Sequence, residues 1–229
     1  MVDVSRTYRP RRLPAAFSLL AGVVAVLLVA NQPGQHTAVF VETVGLAVCI
    51  AGLGWRSRSP ALGIVVAVLG LLVALASFAM PLAGFGGPGP ILVAAAGMFG
   101  LLALALGLGP VRRGWERGFL AVGASGTLLA VLLDSLLRGA GTTTLLFAGI
   151  ASLVAWDAGE QAVNLGEQVE NEASALTAEL VHPGATLAVG GVGIAVALGV
   201  GALGVTGLSL PVLLVLLVAG LLTTAALFH

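Results

Sequence analysis

The sequence predicts an all-α fold, a polytopic membrane helical bundle. Three observations predict it. The 229 residues are 59% hydrophobic and only 9% charged, with a mean hydropathy of +1.10, a composition foreign to soluble domains. Apolar runs recur at membrane-crossing length, for which about 20 residues are needed and about 17 suffice. Arginines fill alternate connections between those runs and are missing from the others, the asymmetry of the positive-inside rule. The expected architecture is about eight transmembrane helices and one acidic amphipathic cytoplasmic helix. Residues 1–156 hold spans one to six, 157–182 the acidic helix, and 183–229 spans seven and eight.

The chain opens with MVDVSRTYRPRRLP, which carries Arg6, Arg9, Arg11 and Arg12 ahead of the apolar run 14–30. A basic start before an apolar run is also how a secretory signal begins. This run is long, however, and no small-x-small cleavage site follows before NQPGQ, so it reads as a retained first span. The next runs are 37–55, 61–83, 90–109 and 118–137. The sixth, 142–156, is short. It crosses only if its helix continues into the polar stretch behind it or if the bilayer thins there. Runs 184–207 and 209–228 complete the set. Pro33, Pro81, Pro88, Pro90, Pro110, Pro183 and Pro211 punctuate span ends. In the seventh run Gly191, Ala195 and Gly199 share one face, and Gly193, Ala197 and Gly201 another, a spacing that lets helices pack closely.

Orientation follows from the basic residues, all ten of which are arginine. Arg6 to Arg12, then Arg56 and Arg58, then Arg112, Arg113 and Arg117 share one side, which the rule makes cytoplasmic. Trp55, Trp115 and Trp156 fall at the same level, as an interfacial belt would. Eight spans then place both termini in the cytoplasm of a cell-membrane protein. Arg138, on the other side, follows Asp134 at the four-residue spacing of a helical ion pair.

The polar stretch 156–183 concentrates the acids: Asp157, Glu160, Glu167, Glu170, Glu172 and Glu179 are six of ten. At helical periodicity Ala158, Ala162, Leu165, Val169, Ala173, Leu176 and Leu180 form one stripe and the acids oppose it. Pro183 is expected to stop this helix near His182. Gly159 and Gly166 allow a bend or a close helix contact. An acidic face is repelled by anionic lipid, so the stripe is expected to meet protein. It either caps this chain's own helices or presents a docking face to a partner or second copy. The arginine loops (Arg56, Arg58, Arg112, Arg113, Arg117) complement its charge. Surface ion pairs contribute only about 0–1 kcal/mol each, so the apolar stripe has to supply most of any docking energy.

Several function classes are excluded or weakened. Zero net charge leaves no basic surface for nucleic acid. The lone Cys49 forms no intrachain disulfide, and no Cys/His cluster, HExxH or Walker A motif is present, so neither a metal nor a cofactor is expected. Ionisable residues inside spans are the default suspects for function. Glu42 and Asp134 stand near the outer ends of spans two and five. They either reach water at the interface or, with Arg138, line a small outer vestibule. Gly123-Ala124-Ser125-Gly126 matches the GxSG of rhomboid intramembrane proteases, with His182 as a notional partner. That family's span direction, WR loop and HxxxN are not matched here.

Trp156-Asp157-Ala158-Gly159-Glu160, Leu165-Gly166, Glu179 and Val181-His182 resemble an uncharacterised family of archaeal multi-pass membrane proteins. The similarity is clearest over 156–193. The resemblance implies a neighbourhood containing a MoxR-type AAA+ ATPase and a von Willebrand-like protein, hence a partner in an assembly system. It implies no catalytic role. The expected function is therefore a membrane scaffold or accessory subunit. Trp156, Asp157, Glu160, Glu167, Glu170, Glu179 and His182 would be its polar contacts, and Leu165, Val169 and Leu176 its anchors. A small-solute or ion transporter or channel is the alternative, and a hydrolase using Ser125 a remote one.

Overall fold

The computed structural model describes residues 10–80, 87–109, 114–168 and 172–202, without the side chains of 168–180. Arg6, Arg9, Arg112, Arg113, the side chains of Val169, Glu170, Leu176 and Glu179, and the expected eighth span at 209–228 lie outside the described residues. The described residues form helices and no strand. The helices are α1 (Arg12–Val29), α2 (Pro33–Trp55), α3 (Pro60–Ser77), α4 (Pro88–Leu108), α5 (Glu116–Arg138), α6 (Thr142–Gln168) and α7 (Glu172–Ala202). All seven contain a stretch long and apolar enough to cross a membrane, the mark of a multi-pass membrane protein.

Proline opens three of these helices: Pro33, Pro60 and Pro88 sit in their first turns, where a missing N–H costs nothing. Gly139 closes α5 with φ +65°, a left-handed conformation that glycine adopts without a side-chain clash.

The chain divides into two units, Met1–Gly190 and Gly191–His229. In the first, α2 packs chiefly on α3, α4 on α5, and α1 on α6. The first two pairings depend on glycine. A methyl on Gly70 would stand 2.3 Å from the Cys49 backbone nitrogen, and one on Gly45 2.5 Å from that of Ala74. Gly100 and Gly123 bring α4 and α5 equally close. Backbones in such contact exchange dispersion over their full length, which is how apolar helices associate without a hydrophobic driving force. Small-residue packing was also expected on the seventh span, where Gly191, Gly193, Gly199 and Gly201 belong to the second unit.

Two expectations are corrected, and one open alternative is resolved. Helix α2 starts at Pro33, not near residue 37, so Glu42 lies deeper in its span than the hydropathy boundary implies. Helix α6 runs without a break from the sixth apolar run to Gln168. The first half of the polar stretch is therefore the polar end of a span, and the second half begins α7. Pro183 does not stop a helix: α7 passes through it. The proline costs the bond that its N–H would have made to the carbonyl four residues earlier, and the helix continues on its apolar run.

Candidate functional site

At the arginine-bearing end, α6 extends past its apolar part and closes on the start of α5. Glu160, Asn164 and Glu167 recur every three to four residues and so share one face of α6. Arg117 reaches all three. Its Nε lies 3.6 Å from Glu160 Oε2. One terminal nitrogen donates to Asn164 Oδ1 at 2.8 Å and Glu167 Oε2 at 3.0 Å. Beneath these contacts runs a dry seam. Ala155, Ala162 and Val163 pack with Leu104, Leu108 and Leu120, all buried, and Ala158 is buried beside them. Gly159 makes the close contact expected of it, because a methyl there would meet Leu120 Cδ2 at 2.8 Å and Ser18 Oγ at 3.1 Å. Ser18 donates to the Ala155 carbonyl, and the Arg11 N–H donates to the Ala162 carbonyl. The stripe of the polar stretch thus meets this chain's own helices as far as Val163. Leu165 is half-buried, and Trp156 and Glu167 are exposed.

Of the arginines expected to receive the acids, Arg117 does so. Arg56 and Arg58 are exposed in the α2–α3 connection, and no ion pair to the acidic segment is found for them among the described residues. The Arg117 side chain is 55% exposed and Glu167 50%, so each pair contributes only about 0–1 kcal/mol. The seam is the stronger fastener.

One turn before Glu160, Asp157 takes two donors from α7. Thr186 Oγ1 donates to its Oδ2 at 2.6 Å, and His182 Nε2 stands 3.1 Å from the same oxygen. His182 was expected to end a helix; it bridges two. Thr186 carried no signal in the sequence, because nothing in local spacing links it to an acid 29 residues earlier.

At the opposite end, Asp134 and Arg138 form the expected pair, Arg138 Nε lying 2.8 Å from Asp134 Oδ1. They do not stand at a wet interface, since the side chains are 3% and 11% exposed. The alignment is that of an ion contact rather than a hydrogen bond. A terminal nitrogen of Arg138 donates to the Val29 carbonyl at 2.9 Å, one of the last carbonyls of α1, which has no helical donor. Nearby, Gln35 accepts from the Asn31 and Gln32 N–H groups and donates to the Pro90 carbonyl at 2.9 Å, tying the α1–α2 turn to α4.

Glu42 belongs to neither network. It is fully buried, and among the described residues neither carboxyl oxygen has a hydrogen-bond partner. Helix α2 packs on α3, α4 and α1, whereas Asp134 and Arg138 belong to α5. No contact joining the three is found among the described residues. An open groove of about 420 Å³ between α4 and α5, lined by Phe99, Leu106, Trp115 and Phe119 among others, is apolar and reaches neither acid. Ser125 lies on the exposed face of α5 while His182 is engaged by Asp157, so serine and imidazole are not brought together. Among the described residues no three His, Cys, Asp or Glu side chains converge as metal ligands would.

No curated protein matches the chain, and no solved structure does. A family of unknown function, DUF7519, matches residues 71–224. That stretch takes in the Arg117 clasp, the Asp134–Arg138 pair and the Asp157 bridge and makes up well over half of the sequence, and on that match the protein belongs to DUF7519.

Proposed function

We propose that the protein is an integral membrane scaffold or accessory subunit whose acidic segment works at the cytoplasmic face. The arginine-bearing end is cytoplasmic by the positive-inside rule. An eighth span at 209–228 would place both termini there. The observation that supports this reading is the continuity of α6. Twelve residues beyond Trp156 extend about 18 Å as one helix, held by the Ala158–Val163 seam and by Arg117. A segment fixed in this way presents Glu167 outward, and Val169, Glu170, Leu176 and Glu179 follow it in the sequence. Their acids and leucines suit a protein partner with basic and apolar surface, such as a subunit of an AAA+ ATPase-linked assembly, or a second copy. Cross-linking and co-purification from solubilised membranes test this. Leu165→Glu with Leu176→Glu is expected to abolish partner recovery at unchanged protein level; unchanged recovery would sink the proposal.

A second reading, a small-solute or ion transporter or channel, draws on one observation, the buried carboxyl of Glu42.

A further inference from the structure

Glu42 is the tenth residue of a 23-residue helix. At 1.5 Å per residue it lies about 14 Å from one end of α2 and about 20 Å from the other. Both distances exceed two helical turns, so Glu42 stands well inside the span. It is fully buried, and both oxygens lack partners among the described residues. Its surroundings are apolar. Ala38, Val39 and Leu46 on its own face of α2 pack with Ala74, Met98 and Leu101. The antiparallel register fixed by Gly45 against Gly70 and Ala74 puts Glu42 level with the last turn of α3.

An ionised carboxylate in such a place is untenable without a counter-charge. None is supplied. Helix α3 contains no titratable side chain, nor does α4, and α1 contains only Arg12 at its far end. On α2 itself, His36 is exposed near the start and Cys49 is two turns deeper. Asp134 and Arg138 neutralise each other on α5. A metal cation would demand several oxygen ligands. The polar side chains nearest in register are already committed: Ser77 donates to the Ala74 carbonyl at 2.6 Å, and Gln35 is used on both sides of its amide. One carboxyl with no other ligand is a site for a proton. Packing does not ask for it either, because an apolar side chain would fill the α2–α3 seam without desolvating a polar group. We propose that Glu42 is a proton-binding site within the membrane, a carboxylic acid that takes up and releases one proton. The inference holds for a scaffold or a carrier alike, and its failure would leave the acidic-segment proposal untouched.

The test uses the full chain in phosphatidylcholine vesicles and dicyclohexylcarbodiimide, a lipid-soluble reagent that needs a protonated carboxyl. The acid proton passes to a carbodiimide nitrogen and the carboxyl oxygen bonds to the central carbon. Acyl transfer to nitrogen then leaves a stable N-acylurea, with nothing released. Mass spectrometry is expected to find the adduct on Glu42, lost as pH is raised, unaffected by sodium or potassium, and absent from Glu42→Gln. Infrared spectroscopy reads the same group without a reagent: a protonated-carboxyl stretch is expected in the native chain and lost in Glu42→Gln. Suppression of labelling by sodium at constant pH would make the site one for a cation and overturn the proposal. So would labelling indifferent to pH, or the absence of the infrared band from folded protein.

Discussion

Two arginines grip acids at opposite ends of the bundle, and burial separates them. Arg117 spreads over Glu160, Asn164 and Glu167 in the open, its side chain 55% exposed. Arg138 holds Asp134 and the Val29 carbonyl with 11% of its side chain exposed. The chemistry is the same, but the energetics are not. In the open, water already solvates both partners, so the pair adds little, and what fastens α6 is the apolar seam beneath it. In the buried pair each charge makes the other tolerable, so removing one strands the other. The first arrangement can open at little cost; the second is a permanent tie between α1 and α5.

Substitutions at each end sharpen this contrast, with thermal unfolding of detergent-solubilised protein as the common measurement. The largest effect is expected from Arg138→Leu, which leaves Asp134 buried and unpaired at a cost of about 3–5 kcal/mol. Adding Asp134→Leu is expected to recover most of that loss; a double variant as unstable as the single would show that the pair is not the cause. Next comes Gly159→Leu at the other end. Overfilling the contact with Leu120 and Ser18 is expected to cost about 1–3 kcal/mol. The smallest effect is that of Glu160→Gln with Glu167→Gln, about 0–1 kcal/mol, and high salt should erase it. If this last change destabilises more than Gly159→Leu, charge rather than packing fastens α6, and the comparison fails.

Much of this was legible in the chain. Proline at the starts of α2 and α4, apolar runs between arginine clusters, and the four-residue step from Asp134 to Arg138 are all local patterns. The stripe through Ala158 and Ala162 was legible as an apolar face, though not the helices it would meet. The sequence left open whether the polar stretch begins its own helix or continues the sixth run, and α6 continues to Gln168. Pro183 is a strong stop signal locally, yet the apolar run behind it carries α7 through. Glu42 was misplaced for a related reason. Hydropathy begins the second span after the polar QPGQH, whereas the Gln32–Gln35 cap begins the helix four residues earlier.

What the sequence alone determined is the solvent this protein folds in, because composition and run length decide whether a helix can leave water, and they do so residue by residue. It also determined which side of each span carries the arginines. Only the tertiary structure decided which acids are paired between helices. Asp157 finds Thr186 and His182, Arg117 finds three residues of α6, and Glu42 finds none among the described residues. Pairing across helices depends on rotation and register, which no local pattern in the sequence encodes and which packing sets, through glycine backbone contacts between α2 and α3 and between α4 and α5.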